Sequence, residues 1–209
     1  LASVNRSQTP FVVLTGHRPM YIDSTDQTPS GGDQPTAQML RDVLEPLMQK
    51  YQVDVAFWGH HHSYQRSCPA QQLACVDPSV GTIHIVTGAA GAGFSTNIAP
   101  SPPAWALYVD DHTHGYVRAH VRGNTMTLNF VSSLDRTIHD TVTIQSRFPI
   151  TDVKEPTPLT VNDFVTTIPS EPHSSTRPTR RHRPQQSQQR AQTSHRAQLK
   201  KKAGTIAQE

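Results

Sequence analysis

Hydrophobic positions fall into short runs, nearly all before about residue 147, separated by polar, glycine- and proline-rich stretches. Phe11-Val12-Val13-Leu14-Thr15 is rich in β-formers and closed by Gly16, which predicts a buried strand. The Asp/Ser/Thr/Pro/Gly-rich stretch from His17 to about Pro35 predicts a loop. Leu40, Val43, Leu44, Leu47, Met48 and Tyr51 recur at helical spacing, so a helix is expected over 36–51. Pro46 lacks an N–H, and a kink or break is expected near Glu45. A second strand over 53–58 ends at Gly59. Strand, helix, strand implies a βαβ unit with parallel strands. A third strand over 82–87 runs into the glycine-rich stretch 88–93. Further strands are expected over 105–109, 116–121, 125–131 and 137–144, and the Arg122-Gly123-Asn124 connection suits an antiparallel hairpin. After Phe148 the pattern fades, and there is no internal repeat. No run approaches the length of a transmembrane helix.

Composition sharpens this division. Only 34% of the residues are hydrophobic and 17% charged, with 17 prolines and 12 histidines filling the deficit. Residues 170–209 hold nine Lys/Arg against two acids, whereas residues 1–169 carry a net charge of −4. The basic character therefore belongs to the tail, and the mildly acidic body argues against a nucleic-acid-binding domain. The tail composition predicts disorder. Its Arg180-Arg181-His182-Arg183 and Lys200-Lys201-Lys202 clusters suit either polyanion contact or a solvated extension, and it has no aromatic residue for stacking bases. The first residue is Leu1 and nothing near it reads as a signal peptide, so a piece of a longer or processed chain is expected. Two cysteines exclude a four-cysteine zinc site. Cys68 and Cys75 are spaced either to close a local disulfide in an oxidising compartment or to remain as thiols. Asn5-Arg6-Ser7 is an N-glycosylation sequon.

The candidate chemistry sits where strands end. Gly59-His60-His61-His62 follows the second strand, and His17 follows the first. In an extended segment His60 and His62 face one side and His61 the other. Carboxyl ends of parallel strands share one edge, so three imidazoles converge there, suited to zinc, iron, nickel or copper. His84, His112, His114, His120 and His139 are expected to be structural or exposed. Asp110 and Asp111 read as loop carboxylates, and Asp54 as a strand-edge group or a support for the ligands. Gly88, Gly91 and Gly93 suit a tight turn better than a phosphate cradle, because no helix follows them.

Gly16-His17-Arg18-Pro19-Met20-Tyr21, Gly59-His60-His61-His62-Ser63-Tyr64-Gln65-Arg66 and the strand-plus-glycine segment 85–91 resemble, in that order, the C-terminal part of the purple acid phosphatases, which are dinuclear metallophosphoesterases. The resemblance runs over about 10–144. It implies an α/β fold, the C-terminal half of a metallophosphoesterase-type β-sandwich flanked by helices, with a disordered tail. Residues 1–147 would form part of the catalytic domain, and 148–209 a linker and basic tail. By the same resemblance His17 and His60 bind a divalent metal and His62 the ferric ion, giving Fe(III) with Zn, Mn or Fe(II) at roughly 3.5–4 Å separation. The implied reaction is hydrolysis of phosphate monoesters at acidic pH, by a secreted, extracellular or vacuolar protein; several plant-type members have a similar Cys-Pro…Cys loop. A nucleotide pyrophosphatase or phosphodiesterase is a variant on the same metals. The alternative from another class is a non-catalytic truncated product whose tail binds polyanions. Three features depart from the family. Gln65 replaces a glutamate, residues 22–36 contain no histidine, and the upstream Asp-x-Gly, Gly-Asp-x-x-Tyr and Gly-Asn-His-Glu/Asp motifs are absent. Without them the isolated chain is expected to be colourless and nearly inactive.

Overall fold

The computed structural model describes residues 1–151 of the 209. The linker and basic tail expected over 148–209 lie, from residue 152 onward, outside the described residues. Strand β1 (Val13–Gly16), helix α1 (Asp33–Lys50) and strand β2 (Val55–Trp58) form the βαβ unit, with β1 and β2 parallel. β5 (Thr82–Thr87) extends this sheet in parallel on the far side of β2. β3 (Tyr64–Gln71) runs antiparallel to β5, and its other edge is shared by β6 (Ala106–Asp110) and the short β4 (Ala74–Cys75). β7 (Gly115–Arg122), β8 (Thr125–Ser132) and β9 (Ile138–Gln145) make a separate antiparallel sheet. Among the described residues the flanking helices come down to α1.

Three expectations change. Phe11 and Val12 are buried but precede β1, because Val12 donates its N–H to the Asp54 carboxylate at 2.7 Å. Helix α1 starts at Asp33 and continues unbroken through Pro46. Pro46 and Asp42 both lie on the exposed face, so water can take the Asp42 carbonyl that the proline leaves unbonded. Strand β3, not anticipated as a strand, occupies the middle of the large sheet. Cys68 on β3 is bridged to Cys75 on β4 with an S–S distance of 2.10 Å, so the bridged alternative holds.

Two apolar layers flank the large sheet. On one face Met48, Leu40 and Leu44 of α1 meet Val12, Ala56, Trp58 and Val86. On the other, Val55, Tyr64, Ile83 and Ile85 meet Met126, Leu128 and Phe130 of the small sheet. The Tyr64 and Phe130 rings stack with centroids 4.0 Å apart. Each large side chain buried this completely contributes about 1.5–3 kcal/mol of transfer free energy.

His84 sits inside the helix-facing layer as a structural residue, stacked on Tyr21 at 4.2 Å. The Trp58 indole donates to its Nδ1 at 3.1 Å. Burial, with a contribution from Arg41, pushes its pKa down from 6.5 to about 3. An indole N–H can only donate, so Nδ1 must stay unprotonated. The unfolded chain takes up a proton near pH 6.5 that the folded chain refuses until about pH 3. Stability contributed by neutral His84 is therefore complete above about pH 6.5 and declines below it, by roughly 1 kcal/mol per pH unit. Urea unfolding of wild type and His84→Phe at pH 7 and pH 5 should show a drop about 2 kcal/mol steeper in the wild type. Equal drops would refute this role for His84.

Candidate metal centre

The parallel register aligns three strand ends. Gly16 pairs with Trp58, and Trp58 with Val86, so His17, Gly59 and the Gly88 segment emerge at one edge. Gly59 donates its N–H to the His17 carbonyl at 3.0 Å. The His17 and His60 rings meet edge to face with centroids 5.2 Å apart. Gly16 is required because Trp58 lies over it; a Cβ there would come within 2.5 Å of the indole ring.

The triple histidine is not extended. His61 donates its N–H to the Gly59 carbonyl at 2.8 Å, and Ser63 to the His61 carbonyl at 2.9 Å, so the chain turns tightly twice. His60 adopts φ 67°, in the left-handed region that side-chain-bearing residues seldom occupy. The three rings consequently diverge. His60 faces His17 and the buried Asp33, with Nε2 3.2 Å from Asp33 Oδ1. His61 turns inward and is buried between Ser63 Oγ at 2.7 Å and Asn97 Oδ1 at 3.0 Å. His62 turns toward the glycine-rich segment, with Nδ1 2.6 Å from the Gly93 carbonyl and its backbone N–H on Ser95 Oγ at 2.9 Å. Among the described residues, no group of three His, Cys, Asp or Glu side chains could hold an ion by itself. The structure thus brings His17 and His60 together and sets His62 apart from them.

The donor chemistry fits metal ligation. The Gly93 carbonyl can only accept, so His62 Nδ1 carries the proton and Nε2 keeps its lone pair. Burial and then Arg18 hold His60 below the ordinary imidazole pKa, against the opposing pull of Asp33, which favours the neutral, ligating form. Burial does the same for His61, whose two nitrogens are both engaged and which serves as a support.

Gln65 has a physical reason to be an amide. Its Oε1 accepts the Asp23 N–H at 2.7 Å while its Nε2 donates to the Asp23 carbonyl at 3.0 Å and to Ser63 Oγ at 3.1 Å. A carboxylate could accept from the Asp23 N–H and from the Ser63 hydroxyl, but it could not donate to the Asp23 carbonyl. Asp54 lies at the opposite end of β2 from the histidines. There it binds Arg6 at 2.9 Å and the Val12 amide, so it is a strand-edge group and does not support the ligands. Gly88 follows its strand as a close backbone approach to His61. Asp33, Ser24 and Asn97 were not singled out from the sequence. Asn97 lies more than sixty residues from the other two, and only the glycine before Asp33, opening a helix, hinted at a special position.

Two family models match the chain: a calcineurin-like phosphoesterase model over residues 1–64 and an iron/zinc purple acid phosphatase-like C-terminal model over residues 81–141. Together they take in more than half of the chain. A probable inactive purple acid phosphatase 1 of Arabidopsis thaliana is 33% identical over 157 residues, covering 71% of this chain and 25% of that protein. A nucleotide pyrophosphatase/phosphodiesterase of Hordeum vulgare is 30% identical over 155 residues, covering 69% of this chain and 41% of that protein. Among solved structures, a purple acid phosphatase from yellow lupin seeds aligns with a TM-score of 0.61 at 30% identity, over 69% of this chain and 26% of that one. The chain thus spans roughly a quarter to two fifths of the length of these relatives.

Proposed function

Because this chain belongs to the purple acid phosphatase family of metallophosphoesterases, we propose that it supplies part of a dinuclear site that hydrolyses phosphate monoesters at acidic pH. The observation that carries this reading is the pairing of His17 with His60 at one sheet edge, with a separate His62 in the same turn whose Nε2 is left for ligation. His17 and His60 are assigned to a divalent ion (zinc, manganese or ferrous iron) and His62 to ferric iron. When bound, such a centre supplies Lewis-acid charge against the phosphate and a nucleophile below neutral pH. The chain's own contribution is to hold these imidazoles neutral and oriented. Arg18, with its side chain 35% exposed beside the same edge, adds positive charge that draws an anionic ester in.

Residues 1–147 are read as the C-terminal part of the catalytic domain, and 148–209 as linker and basic tail, with polyanion contact as a role for the tail. The Cys68–Cys75 bridge supports folding in an oxidising compartment, hence a secreted or vacuolar protein. Asn5, exposed in its sequon, is assigned as a glycan acceptor. No helix among the described residues is long and apolar enough to cross a membrane.

Several relatives carry "inactive" in their names, so turnover itself needs testing. The natural protein, isolated with its metals, should hydrolyse p-nitrophenyl phosphate at acidic pH and contain iron with a second metal. His60→Ala should lose the divalent ion and His62→Ala the iron, both measured by elemental analysis. Unchanged metal content in both variants would remove the ligand assignment. The barley relative motivates a second reading, in which the same site cleaves nucleotide pyrophosphate or phosphodiester bonds. Faster turnover of bis-p-nitrophenyl phosphate or a dinucleotide than of the monoester would favour it.

A further inference from the structure

We propose that Asp33 is a positioning residue for His60: its carboxylate accepts the imidazole Nε2–H and so presents Nδ1 as the ligating nitrogen. The inference rests on reading His60 as a metal ligand. Asp33 is itself fixed. Its Oδ2 accepts the Ser24 hydroxyl at 2.7 Å and the Asn97 amide at 3.1 Å. Its Oδ1 is left for His60 at 3.2 Å, with Arg18 Nη1 3.6 Å away on the same oxygen. Asp33 is only 7% exposed, so water competes little for that oxygen.

Asn97 ties the arrangement to the neighbouring histidine. Its Nδ2 donates to Asp33 and to Ser24 Oγ at 2.8 Å, while its Oδ1 takes the Nε2–H of His61. One amide thus fixes the partner of His60 and the ring of His61. A carboxylate has no proton to give, so the ring nitrogen facing it carries the proton and the other keeps the lone pair. The left-handed backbone at His60 limits how far the ring can swing to find another partner. Carboxylates that hold a ligating imidazole in this way typically change metal affinity about 10–100-fold when removed.

The test uses the metal-free 209-residue chain with nitrogen-15-labelled histidine. His60 should be wholly in the Nε2–H form, with a slowly exchanging, downfield imidazole proton. Asp33→Ala should lose that proton signal and, in the natural protein isolated with its metals, weaken retention of the divalent ion about 10–100-fold. Asp33→Asn keeps one oxygen, which can serve either His60 or the Ser24–Asn97 pair, so it should weaken the signal and the affinity less than Asp33→Ala does. A protonated Nδ1 on His60 in the wild type would overturn the proposal. So would an unchanged proton signal in Asp33→Ala. Should Asp33→Ala fail to fold, the wild-type signal and the Asn variant still decide. Unchanged divalent-ion content in His60→Ala of the natural protein would overturn the ligand reading of His60 while leaving its hydrogen bond to Asp33 standing.

Discussion

Asp140→Ala is expected to lower the stability of the folded unit by about 3–5 kcal/mol. Asp140 lies on β9 of the small sheet, and its partners lie on β3 of the large one. Arg66 grips it with two parallel bonds, Nε to Oδ2 at 2.6 Å and Nη2 to Oδ1 at 2.9 Å. The Tyr64 hydroxyl adds a third at 2.8 Å. The two charged side chains are only 13% and 7% exposed, so solvent screens the pair little. Removing the carboxylate takes from a guanidinium and a phenol between the sheets their shared anionic acceptor, and such truncations cost far more than the pair contributes net. Tyr64→Phe, which deletes one of the three bonds and keeps the ring stack on Phe130, should cost only about 1 kcal/mol. Urea midpoints of the two variants measure the difference. A loss below that of Tyr64→Phe would mean that apolar packing alone holds the sheets together.

The elements that declare themselves in the sequence are those whose period matches their burial. β5 is buried along nearly its whole length around Ile83, Ile85 and Val86, and its limits are those expected from the sequence. The β7–β8–β9 hairpins are legible because alternate residues face the large sheet. Strand β3 is different. It is flanked on both edges and buried, yet its residues are Tyr-Gln-Arg-Ser-Cys-Pro-Ala-Gln. What keeps it there is polar: Ser67 accepts the His84 amide, Gln65 reads the Asp23 backbone, and Arg66 and Tyr64 hold Asp140. Each of those bonds has a partner many residues away, so no local pattern reveals the strand. Helix α1 runs unbroken through Pro46, because the Asp42 carbonyl that the proline leaves unbonded lies on an exposed face where water can take it.

The candidate site divides along the same line. The convergence of His17 and His60 follows from parallel strand order and was legible. The alternation argument for His60 and His62 did not hold, because it assumes an extended chain and His60 lies in the left-handed region. What sends His60 and His62 in different directions is the double turn. For a centre of two ions, divergence serves better than a shared face, since each imidazole then reaches its own ion. The groups that orient the rings are Asp33, the first residue of α1, for His60 and a loop carbonyl, that of Gly93, for His62, and neither is part of a hydrophobic pattern.

That double turn leads to the second large effect: Gly88→Ala is expected to cost about 3 kcal/mol and to displace the histidines. A Cβ on residue 88 would lie well inside contact distance of the His61 carbonyl oxygen and 2.9 Å from its carbon. Both are backbone atoms, so no side chain can swing away. The Gly88 N–H also bonds the Ser63 carbonyl at 3.1 Å, which ties the two segments together and prevents them from parting cheaply. Strand β5 is clamped between β2 and β3, so the strain should pass into the 59–63 turn. Gly59 is the control. It directly precedes His60 in the motif, yet a Cβ there would meet His17 Nδ1 no closer than 3.6 Å, an ordinary contact. Gly59→Ala should therefore leave stability within about 1 kcal/mol of wild type. Urea midpoints, with the backbone amide shifts of His61 to Ser63, separate the two. If Gly88→Ala left those shifts and the midpoint in place, the close approach would not be what shapes the histidine turn. A large loss in Gly59→Ala would instead place the constraint in the conformation of the motif itself.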